Sequence, residues 1–453
     1  VALRLESGRA PAAALVVGAA ILMGLLAGVD PMVAVAGSVG VAFLLLTLAS
    51  LPVGLTVFTT VSFLGLTSVS SGVGLAKLAG FALLLSWLAK STTDAGTREY
   101  QLWTEFPGLT WVLAAFLAWA CLSFLWAGDG SAVISSVSRY LLGIALVPIA
   151  FTALRDVKTV RAVMCAFVVG ALFSAGYGVL AGSALSTEVG EPERLAGTVG
   201  DPNLLASVLV VAMIFSAALA LTAKRGSLGR PLGWIGAAVC VIGLILTFSR
   251  GGLLTLAMAL VIAPFFSRRK GAAFAGVALI ALTVIVYFTA LAPQDARDRL
   301  SAQNGGSGRT DIWRVGWRLV EANPAVGVGA GNFPAASVKY ILVPGALTHK
   351  GTLIDEPAVA HNMYLQVLGE LGVVGLAMFG AILLTSLGSG IVATRRFRER
   401  GDSELAILAA AGVVSLAALL GSYYFLSEEY SKQLWLLLAF GPALLGIARA
   451  RQA

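Results

Sequence analysis

Apolar residues fill this chain in long unbroken runs, without the alternation of a half-buried strand. Fourteen such runs predict helices at about 11–28, 31–49, 52–70, 72–89, 109–127, 133–154, 159–182, 203–223, 231–248, 251–267, 272–292, 362–393, 404–425 and 433–448. The breaks between them carry Gly, Pro or charge, as in "GVDP", "KRGSLGRP" and "SRRKG". A helix of about 20 apolar residues crosses a hydrocarbon core of ~30 Å, so most of these runs are long enough to span a membrane. The first run follows Arg4 and Arg9 and has the look of a signal peptide, but more spans follow at once, and it is expected to be retained as a helix.

Two stretches depart from uniform greasiness. In "TDIWRVGWRLVEANP" (310–324), Ile312, Trp313, Gly316, Trp317, Leu319 and Val320 share one helical face; Asp311, Arg314, Arg318 and Glu321 take the other, and Pro324 ends the run. An amphipathic helix lying on the membrane or roofing a cavity is expected there. In "AHNMYLQVLGELGVVGL" (360–376), Asn362, Gln366 and Glu370 recur every four residues and line one face. Glu370 falls about nine residues below His361, or ~13 Å along a helix, and an acid at that depth needs a partner. Lys77 or Arg139 is expected to supply it, making Glu370 structural.

Composition makes the membrane reading firm. Hydrophobic residues are 58% of the 453 and charged residues 12%, about half the share of a soluble domain; mean hydropathy is +0.90. The expected fold is an all-α polytopic membrane protein of about 12–14 transmembrane helices, in three parts: helices over 1–292, an extracytoplasmic loop over 293–361, and helices over 362–453. The three cysteines, Cys121, Cys165 and Cys240, all lie in apolar runs and are expected to be small buried hydrophobes, not a disulfide or metal set.

The net charge of +8 could point to nucleic acid, but its placement points to topology instead. With both termini cytoplasmic, nineteen of the thirty-one Lys and Arg residues fall in short inner loops or tails, as the positive-inside rule requires. The twelve exceptions carry more information. Arg297, Arg299, Arg309, Arg314, Arg318, Lys339 and Lys350 lie in the outer segment, Arg194 in the outer loop 184–202, and Lys432 in the last outer loop. Arg250 starts a helix at the outer surface; Lys77 and Arg139 lie inside spans, where ionisable groups are costly and mark function by default. Arg194, Arg250, Arg139 and Lys77 are therefore expected to converge on an anionic headgroup, since arginine's fork suits phosphate oxygens.

"GVGAGNF" (327–333) alternates glycines but has the weak form of a nucleotide motif, with no strand before it and no helix expected after it, and is read as a turn. Of the two histidines, His349 sits in a polar stretch, whereas His361 stands where the polar segment becomes an apolar helix. A neutral imidazole there could accept a proton from an incoming hydroxyl.

"SGRTDIWR" (307–314), "NPAVGVGAGNF" (323–333) and "AHNMYLQVLGELGVVGL" (360–376) resemble, in order and spacing, the superfamily of O-antigen ligases, Wzy-type O-antigen polymerases and protein O-oligosaccharyltransferases. "RLAGTVGDPNLLA" (194–206) and "TFSRGG" (247–252) resemble its upstream motifs. The resemblance implies a GT-C-like glycosyltransferase of the bacterial plasma membrane, acting on the outer face. It would move a glycan from a polyprenyl (undecaprenyl) diphosphate carrier to a glycolipid, glycan or protein acceptor, with no cofactor, metal or nucleic acid. The family's essential arginines map onto Arg194 and Arg250 and its histidine onto His361; Lys77, Arg139, Arg309, Arg314 and Asn362 are candidates for substrate contact. The helix carrying Trp313 and Trp317 is expected to close over bound donor. Motif order favours a ligase, a polymerase comes second, and a lipid-linked glycan transporter is the rival of another class, disfavoured by the absence of an internal repeat.

Overall fold

The computed structural model describes residues 28, 31–65, 75–93, 100–181, 185–186, 194–267, 270–291, 309–341 and 359–451. Apart from Gly28, the first predicted run (11–28) lies outside these, as do Arg297, Arg299, the 305–308 glycine stretch, His349 and Lys350. Each of the other thirteen predicted runs is occupied by a helix.

The helices are α1 (Pro31–Ala49), α2 (Leu51–Val61), α3 (Leu75–Thr93), the short α4 (Leu102–Glu105), α5 (Pro107–Leu122), α6 (Gly130–Ala153), α7 (Val157–Ala181), α8 (Pro202–Thr222), α9 (Gly229–Leu246), α10 (Arg250–Ile262), α11 (Lys270–Val286), α12 (Arg309–Ala322), α13 (Phe333–Ile341), α14 (Met363–Glu399), α15 (Ser403–Ser422) and α16 (Lys432–Ala450). Eight helices among the described residues are long and apolar enough to cross a membrane, and four shorter apolar ones accompany them. The chain is a polytopic α-helical membrane protein. A two-residue ribbon, β1 (Leu185–Ser186) against β2 (Arg194–Leu195), ties the ends of the loop after α7.

Helices α8, α15 and α16 are the innermost, and small residues let their neighbours approach. A Cβ on Gly441 of α16 would stand 2.0 Å from the Ser386 carbonyl oxygen of α14. Close backbone contact of this kind, with interhelical hydroxyl bonds, holds helices together where lipid offers no hydrophobic drive; Ser207 of α8 and Ser422 of α15 share such a bond at 2.5 Å. Cys240 is buried, but Cys121 and Cys165 are exposed on the bundle's flank. The expectation that all three are buried is corrected for those two, because their apolar runs present one face outward.

Alternating helices give the bundle two unlike ends. At one, Arg161 pairs with Glu404 at 2.6 Å, Arg449 with Glu105 at 3.7 Å and Arg451 with Asp402 at 2.5 Å. The other carries α12, α13, His361, Arg194 and Arg250.

Helix α14 is not one rod. Gly372 breaks it with φ +67° and ψ −172°, where a Cβ would meet the Ala325 carbonyl oxygen at 2.1 Å. A break frees carbonyls that a continuous helix would satisfy. The Gly369 oxygen accepts from Val328 N–H at 3.0 Å, Glu370 O from Gly329 N–H at 2.8 Å, and Leu371 O from the Trp119 indole at 2.9 Å. Val373 N–H in turn donates to Pro324 O at 2.9 Å. The segment 324–332 thus plugs the gap in α14.

Candidate functional site: a histidine and an arginine lock at one end of the bundle

The plug explains the alternating glycines. Gly327, Gly329 and Gly331 all have positive φ, and a Cβ on them would strike Glu370, Ala127 and Ser136 within 2.5 Å. They are glycines because backbone must pass against helix. The turn reading stands, but a helix does follow: α13 begins at Phe333, a correction to the expectation of none. Asn332 anchors the plug to the start of α6, its Oδ1 accepting from Asp129 N–H at 2.8 Å while its amide donates to Asp129 O at 3.1 Å.

Glu370 sits at the centre of this joint and is buried. Its carboxylate accepts from the Gln366 amide at 2.5 Å, from Gly331 N–H at 2.7 Å and, at 3.5 Å, from the Tyr430 hydroxyl. The expected ion pair with Lys77 or Arg139 is therefore corrected: local donors satisfy the acid, and Arg139 acts on it only from a distance. Nothing about i, i+4 spacing could have announced Gly331, which comes from 39 residues away.

Helix α12 covers the joint. Leu319, Val320, Phe333, Ala360 and Leu365 form a small separate core beneath it, and the helix has the strong two-sidedness read from its sequence. Two residues change sides: Asp311 is buried and holds Arg314 at 3.1 Å, whereas Trp317 is 55% exposed. Trp313 donates its indole N–H to Ala360 O at 3.1 Å and packs edge-on against Tyr424 at 5.3 Å.

These contacts converge on His361. Ala360 N–H donates to Gln366 Oε1 at 2.8 Å, so Ala360 is fastened on both sides. Asn362 caps α14, its Oδ1 accepting from Tyr364 N–H at 3.0 Å and Leu365 N–H at 3.1 Å. That commits the oxygen of a residue expected to contact substrate; only its amide donors remain to offer. Between the two, His361 adopts φ +48°, a left-handed conformation that a non-glycine residue keeps only when its surroundings impose it. Burial holds its imidazole below the ordinary pKa of 6.5, Arg309 adds to the effect, and Asp201 opposes it. The ring is thus predominantly neutral at neutral pH.

A second strained residue, Phe248 with φ +45°, turns the chain between α9 and α10. Arg194, 5% exposed and so no solvated loop charge, braces that turn: Nε donates to Thr247 O at 3.0 Å and Nη2 to Asn203 Oδ1 at 2.9 Å. Asn203 Oδ1 also accepts from the Ser249 hydroxyl at 2.8 Å, and Ser249 caps α10 by accepting from Gly252 N–H at 3.0 Å. Arg250 is the first residue of that helix and is exposed. The two upstream motifs are therefore one interlocked unit, with Asp201 at the start of α8 reaching electrostatically to His361.

Lys77 and Arg139 do not join this group. They line a separate cavity of about 170 Å³ with Lys432 and Tyr430, and Arg139 lies over the Tyr430 ring at 4.3 Å. The single cation cluster expected from sequence is really two. Sequence reasoning also missed the acids of the loop before α16. Burial pushes the Glu428 carboxyl up to about 8, with Asp201 reinforcing it, and holds Glu429 well above the ordinary carboxylate range, with Glu370 next in effect. Two adjacent acids in an outer loop, in a chain with only 23 Asp and Glu, were the available signal. Among the described residues no group of His, Cys, Asp or Glu could hold a metal ion.

Fold and site together define a polytopic membrane protein with one end roofed by an amphipathic helix. Residues 235–380, which run from α9 through the roof and into α14, match the family model described as O-antigen ligase (Wzy_C), and over that stretch the chain is O-antigen ligase-like. A membrane glycosyltransferase-like role goes with that family. No curated protein matches the chain. A chain from a solved peptidoglycan synthase complex is similar at 15% identity and a TM-score of 0.41, over 76% of this chain and 97% of that one, a likeness too low to argue from.

Proposed function

We propose that the protein transfers a glycan from a polyprenyl diphosphate carrier to an acceptor hydroxyl at the outer face of the bacterial plasma membrane, both termini being cytoplasmic. It would do so as a GT-C-like, metal-independent, inverting enzyme, with helices 1–292 and 362–453 flanking the outer segment 293–361. The observation that carries this reading is the presentation of a neutral, strained His361 at the same end of the bundle as the Arg194–Asn203–Ser249 lock that sets Arg250. The acceptor oxygen attacks the anomeric carbon as the bond from that carbon to the diphosphate oxygen breaks. The electron pair leaves with the diphosphate, and the hydroxyl proton passes to His361. Preorganised cations lower the barrier by stabilising charge that develops on the leaving group, and general-base help of this type is typically worth ~10²–10⁴-fold. Arg309 and Arg314, on the roof helix, would contribute substrate contacts.

Reconstitution tests it. Purified protein in nanodiscs, given a polyprenyl diphosphate glycan, is supplied with a lipid core, a second lipid-linked repeat or a hydroxyl peptide. A single addition to the core marks a ligase, a ladder on the carrier lipid marks a polymerase, and no transfer to any acceptor refutes the proposal. His361→Ala is expected to bind donor with unchanged affinity and to transfer nothing; loss of donor binding would move His361 to the phosphate-binding group.

A further inference from the structure

Asn362, Gln366 and Glu370 share one face at the start of α14, and two of them have evident roles. Asn362 caps the helix, and Glu370 closes the joint with the glycine plug. Gln366 stands between them, buried, with both ends of its amide engaged. Its Oε1 accepts from Ala360 N–H at 2.8 Å and from the Ser427 hydroxyl at 3.2 Å, and its Nε2 donates to the Glu370 carboxylate at 2.5 Å. These partners fix which way the amide points, because a main-chain N–H can only donate and a carboxylate accepts.

The main chain of the same residue completes a clasp. Gln366 N–H donates to Asn362 O at 2.8 Å, so one residue bonds to both neighbours of His361. In a capping box, the side chain at the third helical position reaches back to the N–H of the capping residue. Here the fourth position reaches two residues further out, past the histidine, to Ala360. The peptide joining Ala360 to His361 is held from its other side as well, by the Trp313 indole on its carbonyl at 3.1 Å. A residue at φ +48° relaxes unless its flanks are held, and these bonds hold both of them. Through Glu370 the clasp takes its register from Gly331 of the plug, and through Ser427 from the loop before α16.

We infer that Gln366 is the positioning residue of the proposed base: by clasping Ala360 and Asn362 it keeps His361 in its left-handed conformation and so aims the imidazole. The inference rests on the glycan-transfer reading for the role of His361, and goes beyond it in naming what holds the ring in place. Being buried, Gln366 acts through the two neighbours of the histidine and not on substrate. A residue that served only to satisfy Glu370 would leave His361 indifferent to its replacement, and the two roles therefore part experimentally.

Two variants of the full-length protein test it. Gln366→Met keeps the bulk of the side chain and removes its three bonds, whereas Gln366→Asn stays polar and falls one methylene short of Ala360. Each should lower kcat about 10²-fold, the loss that a misplacement of about 1 Å brings, and leave donor KM unchanged. The chain has two histidines, so with ring-labelled histidine the NMR signal that His361→Ala removes reports on this ring alone. In both variants it should titrate closer to 6.5 than in the parent, because a released ring moves towards water while Arg309 and Asp201, the charges acting on it, are kept. Exchanging the pair, Gln366→Glu with Glu370→Gln, reverses donor and acceptor between the two positions and retains an acceptor for Ala360, Ser427 and Gly331. The exchange should restore both kcat and titration; Gln366→Glu alone sets two carboxylates together and should restore neither. Parental kcat and titration in Gln366→Met and Gln366→Asn overturn the inference, as does an equal loss of donor affinity or a folded exchange variant that recovers nothing. If the titration shifts and is restored while even the parent transfers no glycan, the transfer reading is at fault and the clasp stands.

Discussion

The joint between α14 and the glycine plug should be the most sensitive place in the reactive end, and Gly372→Ala tests it. At φ +67° and ψ −172° the residue occupies a region open essentially to glycine, which costs a side-chain-bearing residue about 1–3 kcal/mol. The new methyl would also lie 2.1 Å from Ala325 O and 2.5 Å from Val326 N, both backbone atoms that cannot rotate away. Overpacking of that kind adds about 1–3 kcal/mol, so the total is ~2–6 kcal/mol, directed at the segment 324–332 and not at the bundle. Undocking that segment would strand the Gly369 and Glu370 carbonyls and loosen the cap that positions His361. Gly380→Ala, eight residues along the same helix with open space around the new methyl, is the control and should be neutral or stabilising by up to about 1 kcal/mol. Limited proteolysis within 323–332 and glycan transfer would be measured on both variants in nanodiscs. Gly372→Ala should be cleaved faster and lose transfer, with the helical content of the bundle unchanged. If it resists protease and turns over like Gly380→Ala, the plug is not what holds the histidine, and the account of the joint is wrong.

Arg194→Lys should fail although charge is kept, because one ammonium cannot reach Thr247 O and Asn203 Oδ1 together; losing a charged hydrogen bond costs about 1.5–3 kcal/mol, and parental melting and turnover in this variant would refute the lock. The pH–rate profile should fall on acidification through a pKa below 6.5, since a base works only when neutral and burial with Arg309 depresses His361. Arg309→Gln should move that acid limb upward and Asp201→Asn downward, and a limb that moves the other way in either variant excludes His361 as the titrating group. Glu428 binds its proton more tightly folded than unfolded, so its contribution to stability falls as pH rises from about 4.5 towards about 8. Glu428→Gln should accordingly raise the melting temperature at pH 9 and leave it unaltered at pH 4; equal gains at both would show that the carboxyl is not the cause.

By itself the sequence determined the class of protein and the ends of most helices. Long apolar runs have one stable solution in lipid, the helix that satisfies its own backbone, and breaks such as Asp201-Pro202 and Ser249-Arg250 carry their own start signals. Helix amphipathicity likewise announced α12, because periodicity is a local property. Contrary-placed cations singled out Arg194, Arg250, Lys77, Arg139 and Lys432 before any contact was known. What the sequence left undetermined was who meets whom. Gly331 answers Glu370 across 39 residues and Trp119 answers Leu371 across 252, pairings set by how helices pack and invisible to spacing. The same holds for the division of the cations: only tertiary structure decides that α3 and α6 bring Lys77 and Arg139 to one cavity while the loop before α8 and the start of α10 lock Arg194 elsewhere. The broken α14 is the clearest case. Its residues read as one continuous helix, and the break exists because a loop from the preceding segment supplies the hydrogen bonds that make leaving the helix affordable.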